Sequence, residues 1–127
     1  MSEHPASRWA RVWERAWRER DPEPIGALYA EGCVFRTYPF REAEDPLAYV
    51  RRELPLEADV DARFGRPIVE GDRAAVEWWA TLVEDGEEIT LAGFSWLRFD
   101  GDGLVAEQRD YWARRDGRTS PSEPWGG

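Results

Sequence analysis

Apolar positions near the start of the chain recur every four residues, as Trp9, Trp13 and Trp17, with Val12 and Ala16 beside them and arginine or glutamate elsewhere. That is the period of a helix with one apolar stripe, and Ser7 is placed to cap it. Asp21 and Pro22 stop it. The stretch "DPEPIGALYAEG" repeats the design on a smaller scale: Asp21 caps, Pro22 suits the first turn, Ile25, Leu28 and Tyr29 form a face, and Gly32 ends it. The two segments predict a helical hairpin. Cys33 to Tyr38 is β-branched, aromatic and alternating, which predicts a strand closed by Pro39. "DPLAYVRREL" begins with an Asp-Pro cap pair and spaces Leu47, Val50 and Leu54 as a third helix, ended by Pro55. From about Asp59 the pattern turns to strands. "VDARFGRPIVEGD" reads as one strand bent at Gly65 and Pro67. Residues 73–115 read as three strands joined by the turns "EDGEE" and "DGDG", whose Asp-Gly pairs supply the positive φ of tight hairpins.

The order is therefore helix, helix, strand, helix and four strands, the last three an antiparallel meander. Helices grouped ahead of a long sheet predict an α+β domain in which three N-terminal helices cover one face of a strongly curved, mainly antiparallel sheet. A chain of 127 residues is the size of one domain. Its core is expected over about 7–113, with 114–127, which lacks any period, as a flexible tail.

Charge and composition narrow the function. A net charge of −9, from 26 acidic and 17 basic residues, repels phosphate backbones and anionic lipid, so neither nucleic acid nor membrane is an expected partner. No run approaches the roughly 20 apolar residues of a membrane helix, and "MSEHPASR" lacks the basic-then-apolar order of a signal peptide. A cytoplasmic location is expected. Cys33 is the single cysteine and His4 the single histidine, which leaves no internal disulfide and no soft-ligand cluster for zinc or copper. The expectation is a cofactor-free protein, although carboxylate-bound magnesium needs only oxygen ligands and stays open. Eight tryptophans exceed what so small a domain needs for stability, so some of them should line a site.

Taken together, "W…AW..RDPEPIGALYAEGCVFRTYPF", a short helix, and "AG…RFDGDGLVAEQRDYW" resemble the SnoaL-like branch of the nuclear transport factor 2-like (NTF2-like) superfamily over roughly residues 7–113. The resemblance implies a cone-shaped fold with a cavity. Members include ketosteroid isomerases, scytalone dehydratase, polyketide cyclases, limonene epoxide hydrolases and non-catalytic binding or association domains, so the chemistry must be argued from the site.

On the last strand, alternation places Leu104, Ala106, Gln108, Asp110 and Trp112 on one face and Val105, Glu107, Arg109 and Tyr111 on the other. The first face carries fewer charges and is taken as inner. The resemblance agrees, because related enzymes turn the aspartate of a similar "RDYF" strand into the cavity. A carboxylate among aromatic groups suits general base work, since desolvation raises its pKa. The competing reading is that Asp110 only hydrogen-bonds a buried neighbour. A one-residue slip in register would exchange the two faces and move Asp110 to solvent.

Carried over residue by residue, the epoxide hydrolase set fails. Its Arg and Asp fall on Trp78 and Ala80, and its Tyr and Asn on Phe35 and Thr37. The ketosteroid isomerase aspartate falls on Tyr38, and His4 is too remote for the dehydratase. The SnoaL-type cyclases need little more than one pocket acid/base plus shape, a requirement Asp110 meets.

The expected site is therefore Asp110 as the catalytic group, with Phe35, Thr37, Tyr38, Trp78, Ser95, Gln108 and Trp112 contacting a small hydrophobic or aromatic molecule. Gly93 and Ser95 opposite Trp78 and Trp112 would leave it room. Trp9 and Trp13 are assigned to core and Trp17 to the cavity mouth. The function expected is an acid/base isomerase, cyclase or lyase, and the alternative is a non-catalytic ligand-binding or dimerisation module in which aromatic groups fill the cone. On the outer face Trp79, Phe94, Trp96 and Tyr111 form more apolar surface than a solvated sheet carries, which predicts a homodimer through that face.

Overall fold

The computed structural model describes residues 3–126; Met1 and Ser2 of the N-terminal stretch and Gly127 of the expected tail lie outside it. Three helices, α1 (Pro5–Glu19), α2 (Pro22–Gly26) and α3 (Pro46–Glu53), accompany six strands: β1 (Tyr29–Arg36), β2 (Glu57–Phe64), β3 (Ile68–Glu70), β4 (Arg73–Glu84), β5 (Glu87–Phe99) and β6 (Val105–Asp116). All six strands join one sheet in the order β1-β6-β5-β4-β2, with β3 on the free part of β4; only the β1–β6 pairing is parallel. The α+β architecture is as the sequence predicts.

Each helix begins at an Xaa-Pro pair, where the missing N–H of proline costs nothing. Asp21 and Asp45 accept the backbone N–H of Glu23 and Ala48, as expected. The cap of α1 is His4 rather than Ser7: its Nδ1 accepts from the Ala6 N–H at 3.0 Å, and Pro5 starts the helix three residues early. The helix ends at Arg20, whose left-handed φ of 53° turns the chain back. Its stripe of Trp9, Trp13 and Trp17 is buried along the concave face of the sheet.

Several boundaries differ from the sequence expectation. Gly32 does not end α2; that helix closes at Gly26, and Gly32, at φ +74°, lies in the irregularity between Tyr29 and Val34 where β1 shifts register on β6. Thr37 and Tyr38 follow β1 rather than belonging to it. The strand expected across Gly65 and Pro67 is two strands, β2 and β3, both paired with β4. Beyond α3 a single 3₁₀ turn over Leu54–Leu56 carries Pro55 and aims Glu57 into the sheet.

The meander holds the expected register, with Asp85 and Gly86 both at positive φ in the two-residue turn between β4 and β5. Alternation is broken at one place. Arg98 pairs with Glu107 but Phe99 pairs with Val105, so β6 carries one extra residue there. The bulge turns Val105, outer by parity, into the core, where it is buried.

Strand β6 runs past residue 113 to Asp116, and the segment after it lies against the outer face of the sheet. Arg118 reaches Glu88, Thr81 and the Asp59 carbonyl, Thr119 accepts from the Trp79 indole N–H at 2.7 Å, and Trp125 packs edge-on against Trp79. The expected loose tail is a strap, because its own Trp125 and Arg118 supply the anchors.

Candidate functional site

Strands β5 and β6 place Ser95 directly opposite Asp110, and both side chains turn to the concave face. The Ser95 hydroxyl donates to Asp110 Oδ1 at 2.6 Å, and Gln108 Nε2 donates to the same oxygen at 2.9 Å. Ser95 is itself held by the Trp78 indole N–H at 3.1 Å. Gln108 Oε1 accepts from Trp9 Nε1 at 3.2 Å and from the Tyr29 hydroxyl, which accepts in turn from Trp13 Nε1 at 3.0 Å. The network fixes Asp110 through one oxygen. Among the described residues no donor is paired with the other oxygen, Oδ2.

A cavity of about 80 Å³ opens on this carboxylate. Its walls are aromatic, with Trp9, Trp13, Trp17, Phe64 and Trp78 on one side and Tyr49 and Trp112 on the other. Trp9, Ser95 and Gln108 are fully enclosed, while Glu53, Glu57, Leu91 and Trp112 are half-buried and form the rim. Burial in this apolar setting pushes the Asp110 carboxyl up to about 6, against the opposing pull of Ser95, Gln108 and Arg41. The Tyr49 phenol is pushed up to about 12 by burial, and so remains a proton donor at neutral pH.

Five of the seven expected contact residues, Thr37, Trp78, Ser95, Gln108 and Trp112, line the cavity together with Asp110. Two do not. Phe35 is buried behind the wall, edge-on to Tyr29 and Tyr49. Tyr38 packs edge-on against Trp112, with ring centroids 4.9 Å apart, and is not part of the lining. Phe35 lies within β1 and is covered by Tyr29 and Tyr49, whereas Tyr38 lies beyond the end of β1 at Arg36. Gly93 also leaves the ligand no space: a side chain there would meet Trp112 Cα at 2.6 Å, so the glycine serves close approach of β6. Trp9 and Trp13, expected as core alone, are core and cavity wall at once.

Two residues of the lining, Tyr49 and Glu57, carry no signal in the sequence. Glu57 opens β2 at the rim, and its Oε1 accepts from the Trp17 indole N–H at 2.7 Å. Desolvation first, and then the nearby Glu84 and Glu53, push its carboxyl up to about 7, with Trp17 and Arg20 acting in the opposite sense. A glutamate two residues after Pro55 carries no sequence signal that separates it from a solvated charge. Only the placement of α1 against β2 brings Trp17 onto it.

No group of three or more His, Cys, Asp or Glu side chains arranged to hold a metal ion occurs among the described residues. No helix among them is long and apolar enough to cross a membrane. The outer face differs from expectation at Trp79, which the strap covers; Phe94 and Tyr111 stay exposed and stack at 5.1 Å, and Arg109 lies 3.8 Å over the Trp96 ring.

Comparison with known proteins places this geometry. A family model described as a SnoaL-like domain matches residues 9–108. No curated protein matches the sequence. Among solved structures, Rv0760c from Mycobacterium tuberculosis is similar with a TM-score of 0.77 at 16% identity, covering 92% of this chain and 99% of that one. The Δ5-3-ketosteroid isomerase of Mycobacterium sp. is similar with a TM-score of 0.72 at 17% identity, covering 87% and 95%. An M. tuberculosis LEH-like epoxide hydrolase follows with a TM-score of 0.71 at 17% identity, covering 86% and 83%. Identities this low show a shared fold and leave the chemistry to the residues. With the family match spanning most of the chain and the cone-shaped NTF2-like fold around it, this protein belongs to the SnoaL-like domain family.

Proposed function

We propose that the chain binds a small hydrophobic or aromatic molecule in the cone and moves a proton on it through Asp110, as an isomerase, cyclase or lyase of the SnoaL type. The observation that carries this reading is the asymmetry of one carboxylate. Oδ1 is held by Ser95 and Gln108, and among the described residues Oδ2 has no donor, in a cavity whose apolar walls raise the pKa to about 6. A base of that strength is ionised at neutral pH and still basic enough to take a proton from an activated carbon. Oδ2 would accept the proton as the C–H bond breaks, and its electron pair would pass to an adjacent carbonyl. The Tyr49 O–H would stabilise the resulting oxyanion. Return of the proton to a second carbon completes an isomerisation, while expulsion of a leaving group completes an elimination.

Water activation of the epoxide hydrolase kind is disfavoured, because Trp78 and Ala80 stand where the resemblance requires an ion pair. A cavity of about 80 Å³ favours a ligand of one small ring, part of it at the open rim, over a steroid. The exposed Phe94–Tyr111 stack further supports pairing of two copies through the uncovered half of the outer face. The test is a thermal-shift screen of small ketones and phenols against wild type and Asp110→Asn. Ligands that stabilise the two proteins differently support the reading, and a screen in which no ligand separates them removes the catalytic role.

A further inference from the structure

The hydrogen-bond inventory of the cavity wall is lopsided. Every indole N–H on it is already donated inside the protein: Trp9 to Gln108, Trp13 to Tyr29, Trp17 to Glu57, Trp78 to Ser95 and Trp112 to the Thr37 carbonyl. The acceptors are not used up. Glu57 keeps Oε2 and Asp110 keeps Oδ2, and among the described residues neither carboxylate has a cationic group within ion-pair distance. Glu53 on the same rim is paired with Arg52 at 2.8 Å, and Glu84 near Glu57 with Arg114 at 3.8 Å, so the uncompensated carboxylates are the two that open on the cavity. Arg20 donates to the Glu57 backbone carbonyl and acts on its carboxylate through space, without forming an ion pair with it. Among the described residues no arginine or histidine lines the cavity; Arg41, over the Trp112 ring, acts on Asp110 through space without pairing with it.

Enclosed carboxylates are ordinarily paired, and indole faces are the best π surfaces for a cation. A void with spare acceptors, aromatic faces and almost no free donors is complementary to a donor-rich cation with an apolar body. We propose that the ligand is a small organic cation, an aromatic or alicyclic amine, whose ammonium group sits at the Glu57 end beside Trp17 while its ring reaches Asp110. This rests on the reading of the cavity as a ligand site and adds the chemical class. The amine end is held at the rim, and proton transfer takes place on the ring side. Glu57 is thus a specificity-determining residue, separate in role from Asp110.

The test uses calorimetric binding of 2-phenylethylamine and its neutral counterpart 2-phenylethanol to wild type, Glu57→Gln and Asp110→Asn at a pH of about 8, above the value of about 7 to which Glu57 is pushed. The amine should bind about ten- to a hundred-fold more tightly than the alcohol, the range expected of a charge-assisted contact. Glu57→Gln should abolish that preference, and Asp110→Asn should retain it. Equal binding of amine and alcohol to wild type overturns the cation and leaves the cavity reading standing. A preference lost in Asp110→Asn and kept in Glu57→Gln overturns the placement at the rim. Binding of neither compound removes the ligand site itself, and this inference with it.

Discussion

Asp110 carries a consequence that can be measured without a substrate. Its folded value of about 6 lies above the value of about 4 for an aspartate in an unfolded chain, so the native state holds a proton that the unfolded state has released. The stabilisation linked to that proton is complete below about pH 4 and is lost as pH rises through about 6. Asparagine keeps an oxygen for Ser95 and carries no charge to desolvate. Urea denaturation of Asp110→Asn should therefore show a protein more stable than wild type at pH about 8, by on the order of 2 kcal/mol, with the gain shrinking toward pH 4. A variant that loses stability most at high pH would contradict this origin of the shift. Any activity found should rise with pH through about 6 and vanish in Asp110→Ala, as a pH-rate profile would report. At this scale the sequence was informative where alternation applies: Asp110, Gln108, Ser95 and Trp78 face inward as their parity requires. Glu57 and Tyr49 were hidden because they reach the cavity through the docking of helices, which no local pattern records.

At the scale of elements, the boundaries that were legible have local causes. Asp21 and Asp45 ahead of prolines cap α2 and α3, and Asp85-Gly86 closes the β4–β5 hairpin. Those that were not legible depend on partners distant in sequence. The bulge that buries Val105 arises from pairing with β5, and the early start of β1 from its parallel contact with β6. The tight β5–β6 approach at Gly93 yields a further prediction. Gly93→Ala would press a methyl against the Tyr111 carbonyl and Trp112 Cα, which are backbone and cannot rotate away. Its midpoint of urea denaturation should fall by an amount corresponding to about 2 to 4 kcal/mol. A change within experimental error would mean that the two strands are farther apart. By contrast, loss of the Asp45 cap in Asp45→Ala should cost only about 1 kcal/mol.

For the whole molecule, the cone, the order of its elements and its aromatic character were all readable from the chain, whereas the course of residues 117–126 was not. The strap takes Trp79 out of the outer face and leaves Phe94, Trp96 and Tyr111 as the surface on which a second copy can pair. Sedimentation should accordingly show a dimer that Trp96→Glu converts to monomer. An unchanged mass in that variant would exclude pairing through this surface. The larger question is whether the cone works through its buried carboxylate, and a titration of that group answers it most directly. Carboxyl-carbon NMR of Asp110, followed from acid to alkaline pH with and without a small apolar phenol, should give a midpoint near 6 that shifts when the phenol enters. A midpoint at the ordinary aspartate value of about 4, indifferent to the phenol, would contradict the account.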